Sequence, residues 1–135
     1  EGTRFNLAYI NLGTSCDVGA SWALPRLVGL RRALEIALLG DTYGAQEAER
    51  LGLVNRVVPA AELDAAVHDL AQRLASGPTL AYGHMRRLMR NAFDHDLPTQ
   101  LAAEAEAFVA CARSADLPEG IEAFHAKRPA AFQGR

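Results

Sequence analysis

A chain of 135 residues is long enough to bury the core of one domain, and its 50% hydrophobic and 22% charged content agrees with a globular protein. The formal net charge of −2 gives no general pull toward nucleic acid or acidic membranes, and no stretch approaches the roughly 20 apolar residues that a membrane span needs. Cys16 and Cys111 lie far apart and outside any C-x-x-C spacing, so no metal site or redox pair is expected, and a reducing cytoplasm is the expected compartment.

Arg4 to Leu12 is rich in β-compatible residues and reads as a strand that enters a turn at Gly13. Leu30, Ala33, Leu34, Ala37 and Leu38 then recur at helical spacing and predict a buried helix closed by Gly40. A shorter helix follows over Ala45 to Leu51, stopped by Gly52. The β-branched run from Leu53 to Val58 predicts a strand that ends at Pro59. Beyond Pro59 strand signals cease, which sets a division between residues 1–58 and 59–135. The second part carries three apolar stripes: Leu63, Val67, Leu70 and Leu74; then Ala81, Met85, Leu88, Met89 and Ala92; then Leu101, Ala105, Phe108 and Ala112. Gly77-Pro78 and Pro98 are the expected breaks between them. A last helix is announced by Asp116-Leu117-Pro118-Glu119, with Asp116 as its cap and Glu119 completing a capping-box-like pair.

Among residues able to carry chemistry, Asp17 stands out because it sits in a turn bounded by Gly13 and Gly19, between an apolar run and a helix. Its simpler role is to cap the helix that begins near Gly19. Its catalytic role is that of a proton-transferring carboxylate, which burial under Leu12, Val18 and Trp22 would tune toward neutrality. Arg86, Arg87 and Arg90, opposite Glu104 and Glu106 on the next helix, predict a solvated or interhelical ion-pair surface. No aromatic residues interleave these arginines as RNA stacking would require. Asp94-His95-Asp96 reads as a polar helix end, since adjacent side chains point in different directions. His68, His84 and His125 have no partner at i+4 and read as structural or surface residues.

The segment Ile10–Gly29, INLGTSCDVGASWALPRLVG, closely resembles the turn and short helix of the enoyl-CoA hydratase/isomerase (crotonase) family, with its pattern G-x-x-x-x-x-G-[GA]-[ST]-x-x-L-P-R-L-V-G. Gly40–Pro59 (GDTYGAQEAERLGLVNRVVP) and Glu119–Phe132 (EGIEAFHAKRPAAF) match the same family in the same order, which makes the resemblance specific. It implies an α/β fold: the C-terminal part of a crotonase (ClpP-like) ββα spiral over residues 1–58, followed by an α-helical oligomerisation segment over 59–135 that packs trimers or hexamers. It also implies that an N-terminal half of the same fold, with both backbone donors of the oxyanion hole, must come from elsewhere, because nothing before Glu1 corresponds to it.

The activity implied is that of an acyl-CoA enzyme of fatty acid metabolism, with Asp17 at the place of the base in double-bond isomerases. Tyr9, Leu12, Gly13 and Trp22 would border the acyl pocket, and Phe124 and Lys127 would meet the CoA nucleotide. No metal and no cofactor is implied, since the CoA thioester is itself the substrate. Neither a membrane nor nucleic acid is an expected partner. Hydratases of the family carry a Pro-Glu pair where this chain has Ala8 and Tyr9, which places enoyl-CoA isomerase ahead of enoyl-CoA hydratase. An aromatic acyl-CoA dehalogenase-like enzyme, with the carboxylate as nucleophile, and a non-catalytic assembly or RNA-binding homologue are the remaining alternatives.

Overall fold

A computed structural model describes all 135 residues, which form two compact units, Glu1–Ala66 and Val67–Arg135. In the first, strand β1 (Arg4–Asn6) leads into a 3-10 turn over Ala8–Leu12, followed by helices α1 (Ala20–Val28) and α2 (Leu30–Leu39). Strand β2 (Thr42–Gly44) and helix α3 (Ala45–Arg50) come next, and a 3-10 turn over Ala60–Glu62 then precedes helix α4 (Leu63–Ala75), which runs on into the second unit.

β1 pairs antiparallel with β2 in the register Arg4↔Gly44, Phe5↔Tyr43 and Asn6↔Thr42. The expected strand through Leu12 is thus only three residues long. Its continuation curls because the backbone finds its partners locally: the Gly13 amide donates to the Ile10 carbonyl at 3.0 Å and the Thr14 amide to the Tyr9 carbonyl at 3.2 Å. The Asn6 side chain anchors the start of this curl, donating to the Gly40 carbonyl at 2.8 Å and to Thr42 Oγ1 at 2.9 Å.

Helix α2 ends at Gly40 as expected, with φ 63° in the left-handed region that favours glycine. Its packing differs from the expectation of a buried leucine face. Ala33 and Ile36 are the buried residues, whereas Leu30, Leu34 and Leu38 are 49–64% exposed. The helix rests on α1 and on the 3-10 turn through its small face, and nothing in the chain covers the leucine face. Helix α3 forms where expected, around the buried Ala45 and Ala48. The strand expected over Leu53–Val58 does not form. The amides of Leu53 and Val54 both turn back to the Ala48 carbonyl, and the Val57 amide donates to the Glu49 carboxylate at 3.1 Å, so no ladder is available to them. The spiral expected over residues 1–58 is therefore represented by one pair of short strands.

The second unit continues with α5 (Thr79–Asn91), α6 (Leu97–Ala112) and α7 (Asp116–Ala126), α5 packing on α6 and α6 on α7. Pro98, expected as a break, lies instead in the first turn of α6, where its missing N–H costs nothing, and Asp96 caps that helix by accepting the Thr99 amide at 2.9 Å. Asp116 is not the cap of α7. It is buried, and its two carboxylate oxygens accept the amides of Gln133 (2.6 Å) and Gly134 (2.8 Å) from the C-terminal tail. Glu119 likewise takes the Ala131 amide at 2.7 Å rather than closing a capping box. No helix is long and apolar enough to cross a membrane.

Candidate active site

Asp17 is presented by an unusual run of backbone. Val18 has φ 50° and Gly19 φ 81°, two left-handed residues in succession, and only then does α1 begin. Left-handed geometry is costly for a β-branched residue, by about 1–2 kcal/mol. Gly19 occupies the cap position of α1 with no side-chain cap, and Asp17 contributes only its carbonyl, which accepts the Ala20 amide at 2.9 Å. The capping role expected as the simpler account of Asp17 is therefore not the one its carboxylate plays. The carboxylate turns away from the helix amides and accepts the Tyr9 hydroxyl at 2.5 Å.

Tyr9 reaches it from the 3-10 turn, eight residues back, because Gly13 at φ 70° reverses the chain between them. The hydrogen bond to the Asp17 carboxylate holds the phenol above its ordinary pKa of 10, with partial desolvation adding in the same direction, so Tyr9 stays a protonated donor throughout the neutral range. The floor of this turn is crowded. A Cβ at Gly40 would lie 2.9 Å from Ile10 Cγ2 and 3.0 Å from Asn11 Oδ1, so the glycine that ends α2 also lets the Tyr9-bearing turn approach closely.

The apolar burial of Asp17 expected from Leu12, Val18 and Trp22 is absent in this chain. Leu12 is 82% and Val18 96% exposed, and Asp17 itself is exposed. Trp22 is more than half exposed and is engaged by the Arg26 guanidinium, 4.0 Å from its ring, which also donates to the Trp22 carbonyl at 3.0 Å. Of the expected pocket residues, Tyr9 meets Asp17 directly, Gly13 forms the reversal between them, and Leu12 and Trp22 lie open to solvent.

Phe124 and Lys127 lie in the second unit, one turn apart at the end of α7. Phe124 is 81% exposed, its ring in a T-shaped contact with that of His125, and Lys127 terminates the helix with φ 53°. The neighbouring Arg128 holds this end in place: its Nη1 and Nη2 fork onto Glu119 at 2.7 and 3.0 Å. That fork and the Ala131 amide bring Glu119 down to about 2. The sequence reading missed this clasp, whose signal was the charge pair Glu119 and Arg128 flanking one helix.

The remaining charged residues diverge. Arg87 donates to His84 Nδ1 at 2.9 Å, within its own helix rather than across to Glu104 or Glu106. His95 contacts Gln100 at 3.0 Å while its neighbour Asp96 caps α6, so the Asp94-His95-Asp96 run does not converge on a point. A cavity of about 240 Å³ between α5 and α6 is lined by His84, Arg87, Asn91, His95 and Glu106.

A sequence profile described as enoyl-CoA hydratase/isomerase matches residues 1–135. The 1,2-epoxyphenylacetyl-CoA isomerase of Escherichia coli is 37% identical over 135 residues, all of this chain and 52% of that protein. The 4-chlorobenzoyl coenzyme A dehalogenase-1 of an Arthrobacter species is 32% identical over 127 residues, 94% of this chain and 46% of that protein. The crystal structure of the enoyl-CoA hydratase from Bacillus anthracis aligns with a TM-score of 0.92 at 32% identity, over all of this chain and 52% of that one. The chain spans about half the length of the relatives it matches.

Proposed function

Because the chain belongs to the enoyl-CoA hydratase/isomerase family, we propose that it forms part of an acyl-CoA enzyme in which Asp17 is a general base that moves a proton between carbons of an enoyl thioester. The observation that carries this reading is the state of the Asp17 carboxylate: the left-handed Val18–Gly19 turn releases it from the cap of α1, and its side-chain hydrogen bond goes to a neutral phenol. In the forward step Asp17 takes a proton from the carbon α or γ to the thioester carbonyl, and the C–H electron pair moves into a dienolate whose charge rests on the thioester oxygen. The protonated Asp17 then returns the proton to the other terminus of the dienolate. One carboxylate suffices for both steps because they are sequential, and no cofactor is needed.

The thioester oxygen requires backbone or side-chain donors, each worth about 3–4 kcal/mol to such an intermediate. In this proposal they come from the remainder of a family-length protein, as does the apolar cover over Leu12 and Val18. Phe124 and Lys127 serve the nucleotide end of CoA, Lys127 by attraction to phosphate, and the exposed apolar stripes of the second unit are covered by a trimer or a hexamer. Tyr9 in place of a glutamate disfavours water addition by a carboxylate pair. The same Asp17 acting as a nucleophile on an aromatic acyl-CoA is the second reading, favoured by the 32% identity to the dehalogenase.

Asp17→Asn in the complete protein is the test. Proton transfer should fall by at least about a hundredfold while CoA-thioester binding, followed by calorimetry, is retained. Deuterium exchange and isomerisation persisting at wild-type rates would overturn the assignment. A halide-releasing burst that forms an ester on Asp17 would favour the nucleophilic reading.

A further inference from the structure

We propose that Tyr9 is a positioning residue for Asp17, its hydroxyl holding one carboxylate oxygen so that the other is aimed at the substrate. This rests on the reading of Asp17 as the base and extends it to a residue whose expected role was only to line the acyl pocket. The geometry is specific. The phenol oxygen lies 2.5 Å from Oδ1, a short charge-assisted hydrogen bond, and this is the only hydrogen bond the Asp17 side chain makes.

An exposed carboxylate on a turn otherwise rotates about two side-chain bonds, and a base that must meet a C–H bond in line loses rate for every orientation that misses it. Tyr9 removes that freedom from one side. Its own position is set by the 3-10 turn, by the close approach of Ile10 and Asn11 to Gly40, and by the left-handed Gly13 that brings it back over Asp17. Val18 points the same way, because a β-branched residue held at φ 50° and almost wholly exposed makes no packing contribution that would explain its strain. The strained backbone sets the carboxylate off the helix axis, where the phenol can reach it. The upward shift of Tyr9 keeps its hydroxyl a protonated donor toward Asp17 in the neutral range.

The experiment uses the complete protein and an enoyl-CoA substrate, with Tyr9→Phe, Asp17→Asn and the double variant, together with 3-fluorotyrosine incorporated at position 9. Tyr9→Phe should lower kcat about tenfold with KM changed less than twofold and the melting temperature unchanged. 3-Fluorotyrosine, which keeps the hydroxyl and nearly the same volume, should keep the rate, and its fluorine resonance should move when Asp17→Asn is introduced, because the two side chains are in direct hydrogen-bond contact. It keeps the test decisive should Tyr9→Phe fail to fold. In the Asp17→Asn background the loss of the hydroxyl should cost nothing further. Unchanged kcat in Tyr9→Phe or an unmoved fluorine resonance would overturn the proposal, as would a full additional loss in the double variant, which would make the phenol act on substrate by itself. Activity retained in Asp17→Asn would instead overturn the base assignment, so the two failures are distinguishable.

Discussion

The two units of this chain reach order by different means. Glu1–Ala66 is built on left-handed residues and close backbone approaches: Gly13, Val18, Gly19, Gly29, Gly40 and Gly52 all have positive φ, and its strands are three residues long. Val67–Arg135 is built from longer helices whose ends are fixed by charged side chains, Asp96 on α6 and Asp116 and Glu119 on the tail. The Asp17 turn belongs to the first kind of construction. A helix presents side chains at fixed rotations about its axis, whereas consecutive left-handed residues set a carboxylate free of the helix that follows it. Left-handed backbone is concentrated in the unit that carries the acid, and helical regularity in the other.

That contrast breaks most severely at Gly40. Gly40→Ala forces a Cβ into Ile10 and Asn11 from a left-handed backbone, and should destabilise the first unit by about 3 kcal/mol. Chemical denaturation should show the loss, with the helices of the second unit keeping their amide protection. Loss of protection in both units together would mean that the division between them is not energetic.

A smaller effect of opposite sign is expected at Val18. Val18→Asn replaces an exposed β-branched residue by one that tolerates φ 50°, and should stabilise the unit by about 1 kcal/mol. The gain would appear as a higher Tm. No change, or a fall, would show that the turn is not strained.

The smallest effect concerns the second unit and pH. Glu119 is held at about 2, below its ordinary 4.5, first by its hydrogen bonds with Arg128 and then by the Ala131 amide. A depressed carboxylate contributes stability that is fully present above about 4.5 and is lost as pH falls through about 2. Amide exchange at Ala131 should therefore accelerate, beyond its intrinsic pH dependence, only between those limits, and should show no such change in protection between pH 5 and 8. Glu119→Gln should abolish the transition.

The helices of the second unit were legible because periodicity of 3.6 and the stops at Gly77-Pro78 are properties of neighbouring residues. Pro98 was placed correctly as punctuation but on the wrong side of its boundary, since a proline ends one helix and begins another with the same lack of an N–H. The Leu53–Val58 run has strand-forming residues, yet a strand exists only where a ladder partner is present, and here its amides find Ala48 and Glu49 instead. The leucine stripe of α2 marked an apolar face without saying what would cover it.

By itself the sequence determined the family, the helical spans, the glycine reversals and the presence of one acid between them, because each of these is written in residue type and short spacing. The tertiary structure alone decided which role that acid takes. Whether Asp17 caps α1 or meets Tyr9 depends on the signs of φ at Gly13, Val18 and Gly19 and on how closely the 3-10 turn can approach Gly40, and these are set by packing between segments that local pattern does not connect.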